Sequence, residues 1–226
     1  MTLEKAIKKV KPLDRNAMDI AQKRWDSIAK PLHSLGKLET LLIQIAGITG
    51  NAEIDLSKRG LIAMCADNGV VEEGVTQTGQ EVTAIVAENF LNYDTSVGVM
   101  CKQNHAEIFP VDMGMITDTK VRTDHKVAYG TKNMTKGPAM TREQAVKGIE
   151  SGIAMVEELK GKGYKILATG EMGIGNTTTS SAVASVLLNQ PVEEMTGRGA
   201  GLTSEGLARK IGAIRKAIKL NQPDPS

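Results

Sequence analysis

Gly60 to Ala66 reads GLIAMCA, a short, unbroken apolar run with no polar alternation. Such a run suits a strand buried on both faces, as in a parallel sheet covered by helices. Two further runs are strand candidates: Ala106 to Val111 (AEIFPV) and Tyr164 to Ala168 (YKILA). Pro110 weakens the first of these, because proline cannot donate to a strand ladder. Elsewhere the period is helical. Asp14 can cap a helix that carries Ala17, Ile20, Ala21, Ile28 and Ala29 and stops near Pro31. Another helix starts after Gly36, carries Leu38, Leu41, Leu42 and Ile45, and ends between Gly47 and Gly50. Glu81 to Asn92 sets Val82, Ile85, Val86 and Phe90 along one face. Thr141 and Gln144 form a capping box ahead of Ala145, Ile149, Ile153, Val156 and Leu159. Thr177 to Leu188 is a helix of small residues, and Ser204 to Leu220 is a last helix with Leu207, Ile211, Ile214 and Ile218. Residues 115–140 read as irregular loop with one short strand near Val127. Helices alternating with short buried strands predict an α/β fold with a helix-covered parallel sheet.

Charge narrows the function classes. The 28 basic and 26 acidic residues nearly balance, unlike the basic stripe of a nucleic-acid binder. No stretch approaches the ~18 apolar residues of a membrane span, and the charged N-terminus lacks a signal-peptide apolar region. A cytoplasmic protein with no membrane or nucleic-acid partner is expected. Cys65 and Cys101, with His33, His105 and His125, have neither disulfide-framework nor metal-ligand spacing. The expectation is no metal and no cofactor.

In a parallel sheet, ligands bind beyond the carboxyl ends of the strands. Three strand ends carry suggestive residues: Asp67 to Val70, Asp112 with Gly114, and Gly170 to Asn176. The third is the richest. Gly170 to Thr179 (GEMGIGNTTT) reads as a glycine turn between a strand and a helix. Gly173 and Gly175 let backbone N–H groups approach a ligand, and the following helix offers unpaired N–H groups and a positive dipole end. Asn176 and Thr177 to Thr179 are placed either to cap that helix or to bond a phosphate oxygen. The pattern lacks the Gly-Lys-Ser/Thr of a P-loop and is not G-x-G-x-x-G, which makes a dinucleotide-binding oxidoreductase a weak reading. An ordinary glycine turn is the plain alternative. Glu171 has two readings: an acid, base or charge stabiliser with a raised pKa, or a carboxylate bonding nearby backbone N–H groups. Lys210 also has two: folded onto a phosphate held by this turn and the loop Thr196 to Gly201, or merely solvated.

The chain resembles the nicotinate-nucleotide–dimethylbenzimidazole phosphoribosyltransferases. The resemblance rests on Leu35 to Glu39 (LGKLE), on Ala66 to Val70 (ADNGV) with Gly74, Val75, Val82, Thr83, Asn89 and Phe90, on Gly170 to Thr178, and on Gly197 to Gly199 with Gly201, Leu202 and Lys210. It implies a three-layer Rossmann-like parallel sheet flanked by helices over residues 51–226, with a small helical domain over 1–50. It implies transfer of the phosphoribosyl group of nicotinate mononucleotide to 5,6-dimethylbenzimidazole, giving α-ribazole 5′-phosphate and nicotinate, and it implies a homodimer. By resemblance, Gly173 and Lys210 contact the 5′-phosphate, Gly199 and Gly201 line the same cavity, and Glu171 lies against the ribose or the attacking base. Gln77, Thr78, Ile85, Met172 and Ile174 would wall the base slot, though Ile85 and Met172 read equally well as core.

Two departures bear on that assignment. Many relatives carry His where this chain has Asn68, so this position cannot serve as a proton carrier here. The loop Thr76 to Gly79 also differs from the Ser- and Pro-containing loop of relatives, which bears on base choice. The family's general-base glutamate and further helices have no counterpart before Ser226. A chain inactive alone, or a phosphate-binding piece that needs a partner chain, is therefore the expectation.

Overall fold

A computed structural model describes residues 1–225. Ser226, where the family's chain is expected to run on, lies outside the described residues. The polypeptide divides into two compact units, Met1–Lys58 and the remainder from Arg59.

The first unit holds α1 (Leu3–Lys9), α2 (Arg15–Ser27) and α3 (Lys37–Thr49). Asp14 caps α2 by accepting from the Ala17 N–H at 3.0 Å. Gly50, in the left-handed region, closes α3. The core of the unit is narrow: Ala17, Ala21 and Ala46 pack with Ile43, Ala52 and Ile54. Ala52 and Ile54 explain why the unit extends past residue 50. Of the apolar faces expected from spacing, Ala17 and Ala21 are buried and Leu42 and Ile45 half-buried, whereas Ile20, Ile28, Leu38 and Leu41 are exposed.

The second unit is built on β1 (Arg59–Ala66), β2 (Ala106–Gly114) and β3 (Ile166–Met172), all parallel, in the order β2-β1-β3. Between β1 and β2 run a 3-10 turn (Gly69–Glu73), α4 (Glu81–Leu91) and α5 (Ser96–Gln103); between β2 and β3 runs α6 (Arg142–Gly161). Then come α7 (Asn176–Leu187), the short α8 (Val192–Met195) and α9 (Ser204–Asn221). Alternate residues of β1 face opposite layers, as the pleat requires. Ala63 and Cys65 pack under Ala84, Ala87 and Phe90 of α4 and Cys101 of α5. Ile62 packs with Val111, with Met155 and Leu159 of α6, and with Tyr164. This is the three-layer arrangement expected, with β1 as its central strand. Pro110 fits because its nitrogen faces away from β1. The flanking N–H groups of Ile108 and Asp112 point the same way, to Tyr93 Oη and the Arg122 carbonyl.

Several local expectations are corrected. The buried face of α4 is Thr83, Ala84, Ala87 and Phe90, so Ile85 points outward. On α6 the buried residues are Ser151, Met155 and Leu159, leaving Ile149 and Val156 exposed. α4 turns mostly small residues, with Phe90, toward the sheet, whereas α6 packs on it through Met155 and Leu159. No strand forms near Val127; the loop meets the sheet through an isolated bridge between Val111 and Arg122. The third strand begins at Ile166 rather than Tyr164 and continues through Met172, so Gly170 and Glu171 belong to the strand itself. The Thr141–Gln144 capping box forms as read, with both reciprocal hydrogen bonds. Among the described residues, no helix is long and apolar enough to cross a membrane.

Candidate phosphate and nucleotide site

Two of the three strand ends are occupied by structural work. Asp112 is fully buried, and its Oδ1 accepts from the N–H groups of Gly114 and Met115 at 2.9 and 2.8 Å. Its other oxygen lies 3.1 Å from Lys126 Nζ. Asp67, also fully buried, accepts from the Ile116 N–H at 2.8 Å. These carboxylates tie the loop after β2 to the sheet.

At the third strand end the true turn is only Gly173–Gly175, between β3 and α7. A Cβ on Gly173 would overlap the Ala66 carbonyl oxygen. Glycine is needed here for the ends of β1 and β3 to close, beyond any approach of a ligand. Gly175 takes a φ of 91° at the N-cap of α7, which has no side-chain cap bond. Asn176 therefore does not cap the helix, as the sequence allowed. Its amide donates to Glu171 Oε2 instead. Thr177, at the second position of α7, faces the loop Gly197–Leu202 through Lys210. The Ile174 N–H donates to Thr83 Oγ1 and its carbonyl accepts from Asn68 Nδ2.

Lys210 is the most telling side chain. It lies on the buried stripe of α9 with Gly206, Ala213, Ile214 and Ala217, and is 1% exposed. The apolar pattern Leu207, Ile211, Ile214, Ile218 suggests a face turned by about one residue, which made Lys210 look solvated. Its ammonium donates to Thr177 Oγ1 at 2.8 Å and to the Gly197 carbonyl at 3.1 Å. Among the described residues it makes no ion pair, and burial pushes its pKa below the ordinary lysine value. A buried cation with only neutral partners is costly and calls for an anion. Gly199, at φ 56°, leaves space before that ammonium: a Cβ there would lie 2.9 Å from Thr177 Oγ1 and 3.6 Å from Lys210 Nζ.

Above this pair opens a cleft of about 170 Å³. Gln77, Thr78, Met172, Gly173, Ile174, Gly175, Asn176, Thr177 and Gly199 of the sequence-derived set all line it. Gly201 stands at its rim, where its carbonyl accepts from Gln77 Nε2. Ile85, expected in the base slot, lies outside the lining and is 55% exposed; Lys210 and Glu171 also fall outside it, Lys210 standing behind Thr177 and Gly199 and Glu171 behind Asn176. Val75, Arg198 and Leu202, which belong to the blocks that carry the resemblance but receive no site role from it, also line the cleft, as do Thr76 and Ala200. The Arg198 guanidinium is engaged with the Leu202 carbonyl and Ser204 Oγ, fastening the loop to α9. Glu171 sits beside the turn, and burial raises its pKa while the Asn176 amide opposes that rise. No cluster of three or more metal-type ligands occurs among the described residues. A larger cavity of about 360 Å³, between α6 and Val127–Thr131, is walled mainly by apolar groups and lacks a cation for an anion.

Known proteins match this arrangement closely. A family model described as phosphoribosyltransferase matches residues 10–226. The nicotinate-nucleotide–dimethylbenzimidazole phosphoribosyltransferase of Ruminiclostridium cellulolyticum is 50% identical over 228 residues, which are 100% of this chain and 65% of that protein. The protein of the same name from Clostridium tetani is 46% identical over 98% of this chain and 62% of its own length. The crystal structure of CobT from Thermus thermophilus superposes with a TM-score of 0.84 at 33% identity, covering 93% of this chain and 64% of that one. The chain thus spans less than two thirds of the length of the relatives it matches. With the fold, the glycine turn and Lys210 in place, the chain belongs to the phosphoribosyltransferase family.

Proposed function

We propose that this chain holds the 5′-phosphate and ribose of nicotinate mononucleotide for transfer of the phosphoribosyl group to 5,6-dimethylbenzimidazole. The observation that carries the reading is the buried Lys210 ammonium, without an ionic partner among the described residues, beside Gly199, Thr177 and the start of α7, which has no side-chain cap. A phosphate dianion is the partner such a group lacks. The names of the relatives supply the substrate pair.

In the reaction the bond from the anomeric carbon to the pyridinium nitrogen breaks, and its electron pair leaves with nicotinate. A benzimidazole nitrogen attacks from the opposite face, and its ring N–H then gives up a proton to solvent water. Positive charge builds on the ribose in between, as in other glycosyl transfers. Glu171 is assigned to that charge, because a carboxylate fixed beside the turn by the Asn176 amide is placed to stabilise a cation developing there. Met172 and Ile174 offer apolar wall to the flat base, with Gln77 and Thr78 at its edge. At about 170 Å³ the cleft is smaller than the ~300–1,000 Å³ usual for whole ligands, which fits a phosphoribosyl subsite. A homodimer in the cytoplasm belongs to the same reading. Exposed Leu91, Val99 and Met100 on α4 and α5 supply apolar surface for the pairing, and sedimentation tests it.

The test is calorimetric binding of nicotinate mononucleotide, with free nicotinate measured after dimethylbenzimidazole is added. Lys210→Met should weaken binding beyond detection, by more than about a hundredfold, the equivalent of ~2.8 kcal/mol. Equal binding to the variant would remove Lys210 from the site. If neither this chain nor one as long as its relatives releases nicotinate, the substrate pair is wrong.

A further inference from the structure

The Gly173–Gly175 turn has a particular support: side chains from two other segments hold the peptide groups of Ile174. The Ile174 N–H donates to Thr83 Oγ1 at 3.0 Å, and Thr83 is fully buried on α4. The Ile174 carbonyl accepts from Asn68 Nδ2 at 3.1 Å. The amide oxygen of Asn68 reaches on to α7, accepting from Thr179 Oγ1 at 3.4 Å. The two supports are joined. Gln80 Nε2 donates to the Asn68 carbonyl at 3.1 Å, and the Thr83 N–H donates to the Gln80 carbonyl at 3.0 Å. Gln80 in turn closes the loop that carries Gln77 and Thr78.

We propose that Asn68 and Thr83 are positioning residues: together they preset the orientation of the glycine turn and of the Thr177 N–H, which alone among the first four N–H groups of α7 donates to no acceptor among the described residues. A turn bracketed by glycines loses more freedom on ordering than other segments. Fixing it beforehand removes that cost from ligand binding. Helix-end N–H groups bind an anion only when aimed at it. Asn68 and Thr83 act through Ile174 and Thr179. This role also accounts for a side chain without a titratable proton at position 68: the clamp needs one donor and one acceptor, and an amide has both.

The proposal rests on the phosphate reading above, and the experiment separates the two. The full chain is compared with Thr83→Val, which keeps the shape and loses the acceptor, with Thr83→Ser, which restores it, and with Asn68→Ala. Three quantities are read: hydrogen exchange at the Ile174 amide, affinity for inorganic phosphate, and the urea midpoint. In Thr83→Val the Ile174 amide should exchange at least about tenfold faster, and phosphate affinity should fall by about tenfold. Thr83→Ser should return both to near the wild-type values. Asn68→Ala should weaken phosphate binding likewise, and it serves if Thr83→Val does not fold. A purely structural role would lower the urea midpoint and leave phosphate affinity unchanged, which overturns the proposal. Unaltered Ile174 exchange in Thr83→Val overturns it as well. Wild-type protein that binds no phosphate overturns the functional reading and the proposal with it; binding that survives in the variants overturns the proposal alone.

Discussion

Replacing Lys210 by Met should make the protein more stable and unable to bind phosphate. The ammonium is 1% exposed and has no ionic partner among the described residues. Taking an ion out of water costs several kcal/mol even after relaxation. Against this stand its hydrogen bonds to Thr177 and Gly197, each worth at most ~1.5–3 kcal/mol. Both acceptors belong to solvent-exposed residues, so their oxygens regain water when the donor is lost. Methionine is similar in length and adapts to irregular space. The balance is a gain of about 1–2 kcal/mol, or roughly 2–8 °C in Tm for a chain of this size. Phosphate at about a hundred times its Kd should stabilise wild type by ~2.7 kcal/mol and the variant not at all. The order of stability therefore inverts when phosphate is added, which paired urea melts will read. The pH dependence has a definite sign. Burial lowers the Lys210 pKa below 10.5, so between the two values the unfolded chain binds more protons than the folded one. Wild-type stability then rises with pH across that window on this residue's account, and the Met variant lacks the rise. A variant less stable than wild type without phosphate, by more than ~1 kcal/mol, would refute the reasoning and make Lys210 a structural residue.

Other predictions follow from the same region. Gly173→Ala should cost about 1–3 kcal/mol or more in a urea titration, because the added carbon meets the Ala66 carbonyl, a backbone group that cannot swing aside; a neutral result would mean that the strand ends separate freely. Thr178 is fully buried with an unpartnered hydroxyl, so Thr178→Val should leave stability unchanged or raise it by about 1 kcal/mol. Glu171 has a pKa raised mainly by burial, so the folded state holds its proton more tightly than the unfolded chain does. Stability on its account is full below the ordinary carboxylate pKa and is lost as pH rises through the raised value. Glu171→Gln should then gain on wild type at pH 8 and not at about pH 4, by urea midpoints at both; a gain confined to the acid side would contradict the burial argument.

What could be read from the residues alone was what is encoded locally. The capping box at Thr141 and Gln144 needs only a spacing of three, and β1 announces itself because both its faces are buried. The glycine turn was legible for the same reason, and the resemblance brought Gly199 and Lys210 to it. The faces of α4, α6 and α9 were misjudged because apolarity was taken to mark the buried side. Near the sheet and the cleft the helices bury Thr83, Ala84, Ser151, Gly206 and Lys210, chosen for size or charge, while Ile85 and Ile149 stand outside. Thr83 and Asn68 as a clamp could not be found from the chain, since each bond to Ile174 spans roughly a hundred residues of sequence. Asp112 shows the opposite error. A strand-end aspartate suggests chemistry, yet its oxygens are spent on its own loop and on Lys126.

The outward-facing nitrogen of Pro110 has a consequence for how this sheet can meet other strands. The outer side of β2 lacks one donor where an incoming ladder would need it, and Arg122 already takes the next position through the Asp112 N–H. That margin is blunted against edge-to-edge association. The outer side of β3 has no such guard: it carries no proline and pairs with no strand among the described residues. Among the described residues the two margins of the sheet thus differ, closed at β2 and unguarded at β3, the strand that leads into the glycine turn.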